Sequence, residues 1–212
     1  MAFGNAMNSN KINLKQLPQL LPFSIPWAEY FGNDNPLDLE IGCGRTHFFF
    51  DRAHNFPNRN IIGFEWKYEF MEQGQRRIVR EGLKNAALFH GNAWLLTPLL
   101  IGPQSLDQVM INFPDPWWKE RHKKRLLLND VFVGVIKSRL KPSGTLLIQT
   151  DVAELFHYYQ QLLNSHGFTK DSSRSEQAII AATQAQTHRE KKCLAQGLPI
   201  YRGIFGLKVT EI

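Results

Sequence analysis

Apolar and polar positions follow two rhythms along the chain. LDLEI (37–41) places Leu37, Leu39 and Ile41 on one side of an extended segment that ends in Gly42 and Gly44, the mark of a short strand entering a turn. RTHFFFDRAHNF then reads as a helix closed by Pro57, NIIGFEW as a second strand, and KYEFMEQGQRRIVREG as a basic amphipathic helix stopped at Gly82. The alternation continues with AALFH as a weak third strand, DQVMINF as a fourth, and a helix over RLLLNDVFVGVIKSRL. A KPSG turn, a fifth strand GTLLIQTD and a helix VAELFHYYQQLLNSHG follow, and GIFGLKVTEI is expected to supply closing strands. Parallel neighbours need crossover connections, so strands alternating with helices predict an α/β fold: a doubly wound, mostly parallel sheet with helices on both faces. Residues 1–35 mix Asn, Gln and Pro with scattered apolar positions. They read as a partly flexible N-terminal extension, with one short helix before Pro26, and 36–212 as one domain.

Composition narrows the function classes. The 212 residues, 43% hydrophobic, suffice for one substantial core. A formal charge of +6 favours a polyanionic partner without requiring one. Cys43 and Cys193 cannot build a disulfide framework, and neither sits in a CxxC pair or a zinc-type array, so the chain reads as cytoplasmic and metal-free. No apolar run approaches the roughly 18 residues of a membrane span, and the first residues lack the hydrophobic segment of a secretion signal.

In an open α/β sheet ligands bind beyond the carboxyl ends of the strands, near the point where strand order reverses. Gly42-Cys43-Gly44 falls there; glycines allow a tight turn and close approach of backbone to a ligand. Glu65 closes the second strand, where a carboxylate can accept from both hydroxyls of a ribose. NAD and S-adenosylmethionine both fit such a site. A dinucleotide fingerprint wants a third glycine where this chain has His47, which disfavours a pyrophosphate cradle. A sulfonium suits the acids Glu40 and Glu65 better. Asn92, after the third strand, could meet an adenine edge, its oxygen accepting from the exocyclic amine and its amide donating to a ring nitrogen.

INFPDPWWKERHKKR (111–125) sets one acid, two tryptophans and five Lys or Arg residues at the end of the fourth strand. Prolines on either side of Asp115 restrict its backbone, as an orienting group or a plain tight turn would each require. Of Trp117 and Trp118, one is expected in the core and at most one against a base. Lys123, Lys124 and Arg125 stand at or just before an expected helix start, where the macrodipole disfavours cations unless phosphates approach.

LEIGCG, GFE, INFPDPWWKERHKKR, QTD and the Thr-x-x-Glu of THRE together resemble the tRNA (guanine-N7)-methyltransferase family, single-chain bacterial type, from about residue 37 to the C-terminus. The resemblance implies a class I S-adenosylmethionine-dependent methyltransferase fold acting on a guanine in the variable loop of tRNA. It implies that Glu40, Gly42, Gly44, Glu65, Asn92 and Asp115 line the cofactor site, with Asp115 also at the reaction centre. Lys119, Asp151, Thr187 and Glu190 would meet the guanosine. Three departures stand out: Asn92 for a usual aspartate, Thr46 for a frequent glycine, and His188-Arg189 for a basic residue followed by an aromatic.

Guanine N7 carries an in-plane lone pair, so methyl transfer needs alignment more than a general base. Positive charge moves from sulfonium to purine, and a fixed carboxylate such as Asp115 would favour that movement. Asp151 and Glu190 would accept from the guanine N1 and N2 edge. Lys119, Arg121, Lys123, Lys124 and Arg125 would hold tRNA phosphates, joined by Arg76, Arg77 and Arg80 if their helix faces the same side. The competing readings are a methyltransferase acting on an exocyclic amine, a nicotinamide oxidoreductase, and a non-catalytic RNA-binding module on the same fold. Either a monomer or a homodimer is compatible with the sequence.

Overall fold

A computed structural model describes residues 24–116, 126–173 and 175–207. Strands β1 (Leu37–Ile41), β2 (Asn60–Glu65), β3 (Ala86–His90), β4 (Leu106–Asn112), β5 (Leu140–Thr150), β6 (Phe168–Lys170) and β7 (Tyr201–Leu207) form one sheet in the order β3-β2-β1-β4-β5-β7-β6. The first five are parallel, and β7 runs antiparallel between β5 and β6. Strand order reverses between β1 and β4, where Leu39 lies beside both Ile62 and Val109. The crevice expected of a doubly wound sheet therefore opens beyond Ile41 and Asn112.

The helices are α1 (Trp27–Phe31), α2 (His47–Asn55), α3 (Tyr68–Glu81), α4 (Ala93–Leu100), α5 (Asp130–Arg139), α6 (Ala153–Ser165), α7 (Glu176–Thr183) and α8 (His188–Ala195). Side chains alternate across each strand. Leu37, Leu39, Ile41, Val109, Ile111, Leu146 and Ile148 join one cluster with residues of α1, α4, α5 and α6. Ile61, Met110 and Leu147 face the other way, against Phe48, Phe49 and Phe50 of α2, Met71 of α3 and Ile179 of α7. On β1, Asp38 is wholly buried, and its carboxylate takes Arg52 of α2 at 3.0 Å and Arg59 at 2.5 Å. That network ties α2 to the strand that carries the glycine turn.

Several expectations change. The helix expected over 125–140 begins at Asp130, because the Asn129 side chain accepts the Phe132 N–H at 3.0 Å and caps it. Leu126 and Leu128 are buried core residues ahead of that helix. The indole of Trp94 donates to the Leu127 carbonyl at 2.9 Å and stacks on Phe132. Lys123, Lys124 and Arg125 lie outside the described residues, and with α5 starting at Asp130 the expectation that a helix macrodipole opposes them loses its basis. KPSG lies inside β5, where the register against β4 shifts between Leu106 and Gln108.

A helix before Pro26 would lie outside the described residues; α1 follows that proline instead. Trp27 is 7% exposed and its indole donates to the Leu100 carbonyl at 3.1 Å, so the end of the expected extension packs on α4. Among the described residues no helix is long and apolar enough to cross a membrane.

Candidate active site

The turn after β1 is pinned to β2: the Gly42 and Cys43 N–H groups both reach the Phe64 carbonyl, at 2.8 and 3.3 Å. Gly42 and Gly44 have φ of +80° and +52°, which L side chains rarely adopt. No atom beyond their neighbours lies within 4 Å of where a Cβ would sit at either glycine. The backbone there is open to a ligand. Thr46 also lies in the left-handed region, at φ +61°, so the position where the family often has glycine keeps a glycine-like backbone under a β-branched side chain.

Four acids reach the carboxyl edge of the sheet from four strands. Glu40, on β1, is 1% exposed; Asn112 Nδ2 on β4 donates to its Oε1 at 2.9 Å. Its Oε2 and the Oδ1 of Asn112 are buried and have no hydrogen-bond partner among the described residues. Burial pushes the Glu40 carboxyl up to about 8, with the like charge of Glu65 adding to the rise against hydrogen bonds from Asn112 and Cys43. Burial likewise pushes the Cys43 thiol well up, so a nucleophilic role for it finds no support.

Glu65, closing β2, accepts from the Gly44 N–H at 2.6 Å and the Lys67 N–H at 2.8 Å. One carboxylate thus braces both turns while keeping lone pairs for a further donor. Asn92 caps α4, its Oδ1 accepting the Trp94 N–H at 2.9 Å. The cap uses one lone pair of this oxygen, so a second lone pair and the amide nitrogen both stay available to an adenine edge.

Asp115 is exposed beyond β4, between Pro114 and Pro116. Phe113, just before this segment, has φ +49°, and its N–H donates to the Gln149 carbonyl of β5 at 2.7 Å. A bulky residue in that conformation is strained, and strain of this kind gathers at functional sites. The sequence gives no signal for it. Trp117, Trp118, Lys119, Arg121, Lys123, Lys124 and Arg125 lie outside the described residues.

Asp151, directly after β5, forms an ion pair with Arg189 on the first turn of α8. Thr187 and Glu190 differ from expectation. Thr187 Oγ1 accepts the Glu190 N–H at 2.9 Å and the Glu190 carboxylate accepts the Thr187 N–H at 3.3 Å, a reciprocal capping box. Glu190 is 2% exposed and also takes Arg202 of β7 at 2.7 Å and Gln149 at 3.5 Å. Thr-x-x-Glu is itself the signature of such a box. The pair starts α8 and fastens it to the sheet, and the Glu190 carboxylate has no side left for a guanine.

Arg76, Arg77 and Arg80 pair with Glu72 and Glu81 on their own helix, which weakens the case for their meeting phosphates. Unanticipated from the sequence is an exposed aromatic group beside Glu65: Trp66, Tyr68 and His90. His90 Nε2 lies 2.9 Å from the Trp66 carbonyl, joining the ends of β2 and β3. Two aromatics within three residues of the acid were the available signal.

The donor set fits an adenosine-containing cation. An open glycine turn and an acid at the end of β2 suit a ribose, the exposed rings of Trp66 and Tyr68 beside them suit a base, and a buried carboxyl oxygen without a partner among the described residues suits positive charge. Among the described residues no group of three or more His, Cys, Asp or Glu is placed to hold a metal ion.

Comparison with known proteins agrees with this arrangement. Residues 34–203 match a family model described as "putative methyltransferase". A tRNA (guanine-N(7)-)-methyltransferase of Alkaliphilus oremlandii is 35% identical over 192 residues, covering 88% of each chain. One from Myxococcus xanthus is 30% identical over 83% of this chain and 85% of its own. Among solved structures, the 16S rRNA methyltransferase KamB superposes with a TM-score of 0.63 at 12% identity, over 94% of this chain and 96% of the other. The aminoglycoside resistance methyltransferase NpmB1 gives 0.60 at 17% identity, over 86% and 92%. These two share the fold, the class I S-adenosylmethionine-dependent methyltransferase architecture. By the extent of the family match and the identity of its relatives, the chain belongs to the tRNA (guanine-N7)-methyltransferase family.

Proposed function

We infer that the protein transfers the methyl group of S-adenosylmethionine to N7 of a guanine in the variable loop of tRNA, in the cytoplasm. The observation that carries this reading is the convergence of Glu40, Glu65, Asp115 and Asp151 on one edge of the sheet in a chain of this family.

Bound S-adenosylmethionine supplies an electrophilic methyl group. Glu65 and the backbone of the Gly42–Gly44 turn would hold its ribose, Trp66 and Tyr68 would offer a face for the adenine, and Glu40 would lie beside one of its cationic groups. Asp115 stands where the purine becomes cationic and favours that charge electrostatically. It takes no proton, because N7 has none to lose. Asp151 accepts from guanine N1 or N2, a pairing that adenine cannot offer. The basic run 119–125, between Pro116 and the buried Leu126, meets phosphates and sets position without reading sequence.

The test is incubation with labelled S-adenosylmethionine and unmodified tRNA, followed by borohydride and aniline, which cleave at N7-methylguanosine. A single cut in the variable loop supports the reading. Incorporated label without a cut points to another atom, and no label overturns it.

A further inference from the structure

Glu40 and Asn112 meet at the switch point between β1 and β4, and their contact leaves a chemical imbalance. Asn112 donates once, to Glu40 Oε1, and two buried oxygens, Glu40 Oε2 and Asn112 Oδ1, remain without partners. Leaving a buried polar atom unpaired is unfavourable, and leaving a buried charge unpaired is more so. A proton on Oε2 removes the charge and turns one of the two orphan acceptors into a donor.

The surroundings favour that state. Glu40 makes no ion pair with any cation among the described residues. The charged and titratable groups acting on it are Glu65 from β2 and Cys43 from the turn; Asn112 on β4 is neutral. Cys43 Sγ donates to the Glu40 backbone carbonyl at 3.6 Å, and its thiol stays protonated. Glu65 is held by the Gly44 and Lys67 N–H groups and repels a second negative charge.

The geometry points to Glu40 as a proton-for-cation exchange site: it carries a proton on Oε2 while no cation is bound, and releases it to solvent when a positively charged group of the cofactor settles beside it. The exchange balances in charge, since one proton leaves for one organic cation gained, and no bond other than O–H breaks. This rests on S-adenosylmethionine being the ligand, which carries two candidate cations, the sulfonium and the ammonium of its amino-acid end. Burial holds the Glu40 carboxyl at about 8, so near neutral pH it has a proton to release.

Two measurements on the full chain test it. First, 13C-labelled glutamate carboxyl resonances followed against pH in the free protein should show one group titrating well above the others and missing from Glu40→Gln. Absence of such a group overturns the proposal without any bearing on the ligand. Second, calorimetric titration near neutral pH in buffers of low and high ionisation enthalpy counts protons released on binding. S-adenosylmethionine should release close to one proton from the wild type, roughly as expected a unit below a group's pKa, and none from Glu40→Gln.

S-adenosylhomocysteine, which keeps the ammonium alone, identifies that group as the displacing cation if it also releases a proton, and the sulfonium if it does not. 5′-Methylthioadenosine has neither cation and should release none. Equal release by 5′-methylthioadenosine, or by Glu40→Gln, overturns the exchange. Failure of all three ligands to bind, with the high carboxyl titration present, contradicts the cofactor reading instead.

Discussion

Glu190 and Arg202 form a 2.7 Å ion pair whose side chains are each 3% exposed, joining the first turn of α8 to β7. Glu190→Ala removes a buried, charge-assisted hydrogen bond to Arg202, which contributes roughly 1.5–3 kcal/mol, and takes away half of the α8 capping box. Glu190→Ala should therefore lower unfolding free energy by about that amount in denaturant titrations, and Glu190→Gln by less, since the amide can keep part of the cap. If Glu190 served only to read guanine, both variants would unfold like the wild type and lose only activity.

Asp151 and Arg189 pair at the same end of the sheet but under different conditions. The Arg189 side chain is 44% exposed, so the pair contributes about 0–1 kcal/mol to stability. Arg189→Ala should melt within that margin of the wild type. Asp151→Ala should fold as well and lose on the order of ten- to a hundredfold in kcat/KM, the equivalent of one lost base-edge contact. Undiminished methylation by Asp151→Ala would remove this residue from base recognition.

Glu40 gives stability a pH dependence of defined sign. Its carboxyl is raised to about 8 in the folded chain, from the ordinary carboxylate range in the unfolded one. Between those values the folded state holds a proton that the unfolded state has released. The stabilisation is complete below the unfolded value, declines as pH rises through the window and is gone above the folded value, a change on the order of a few kcal/mol. Thermal melts from mildly acidic to mildly alkaline pH should fall for the wild type, and fall less for Glu40→Gln, which stays neutral throughout. Parallel curves for the two would contradict the burial argument.

The sheet was legible in the sequence because its strands obey simple patterns: Leu37, Leu39 and Ile41 alternate, and glycines end β1. The start of α5 was misread because Leu126, Leu127 and Leu128 resemble a helix face, and the Asn129 cap that separates them from the helix is a single polar residue. Pro98 inside α4 concealed that helix. Glu40 near the end of β1, Glu65 closing β2 and Asp115 just past β4 follow from strand spacing alone. What spacing cannot show is which oxygens already hold a donor: Asn92 Oδ1 takes a helix-cap N–H, and the Glu190 carboxylate is buried against Thr187, Gln149 and Arg202.

The cations between Pro116 and Leu126 carry a prediction of their own. Each phosphate contact contributes about 0.7–0.9 to the slope of log affinity against log salt. Lys123→Ala combined with Lys124→Ala should weaken tRNA binding and reduce that slope by roughly 1.4–1.8 if both lysines meet phosphates. An unchanged slope would place them off the RNA.

The most direct test of the central claim compares wild type and Asp115→Ala under single turnover with unmodified tRNA, followed by nucleoside digestion and mass spectrometry. The wild type should yield N7-methylguanosine, and the variant should bind tRNA nearly as well while forming almost none. Full turnover by Asp115→Ala, or a methyl group on any atom other than guanine N7, would contradict the account.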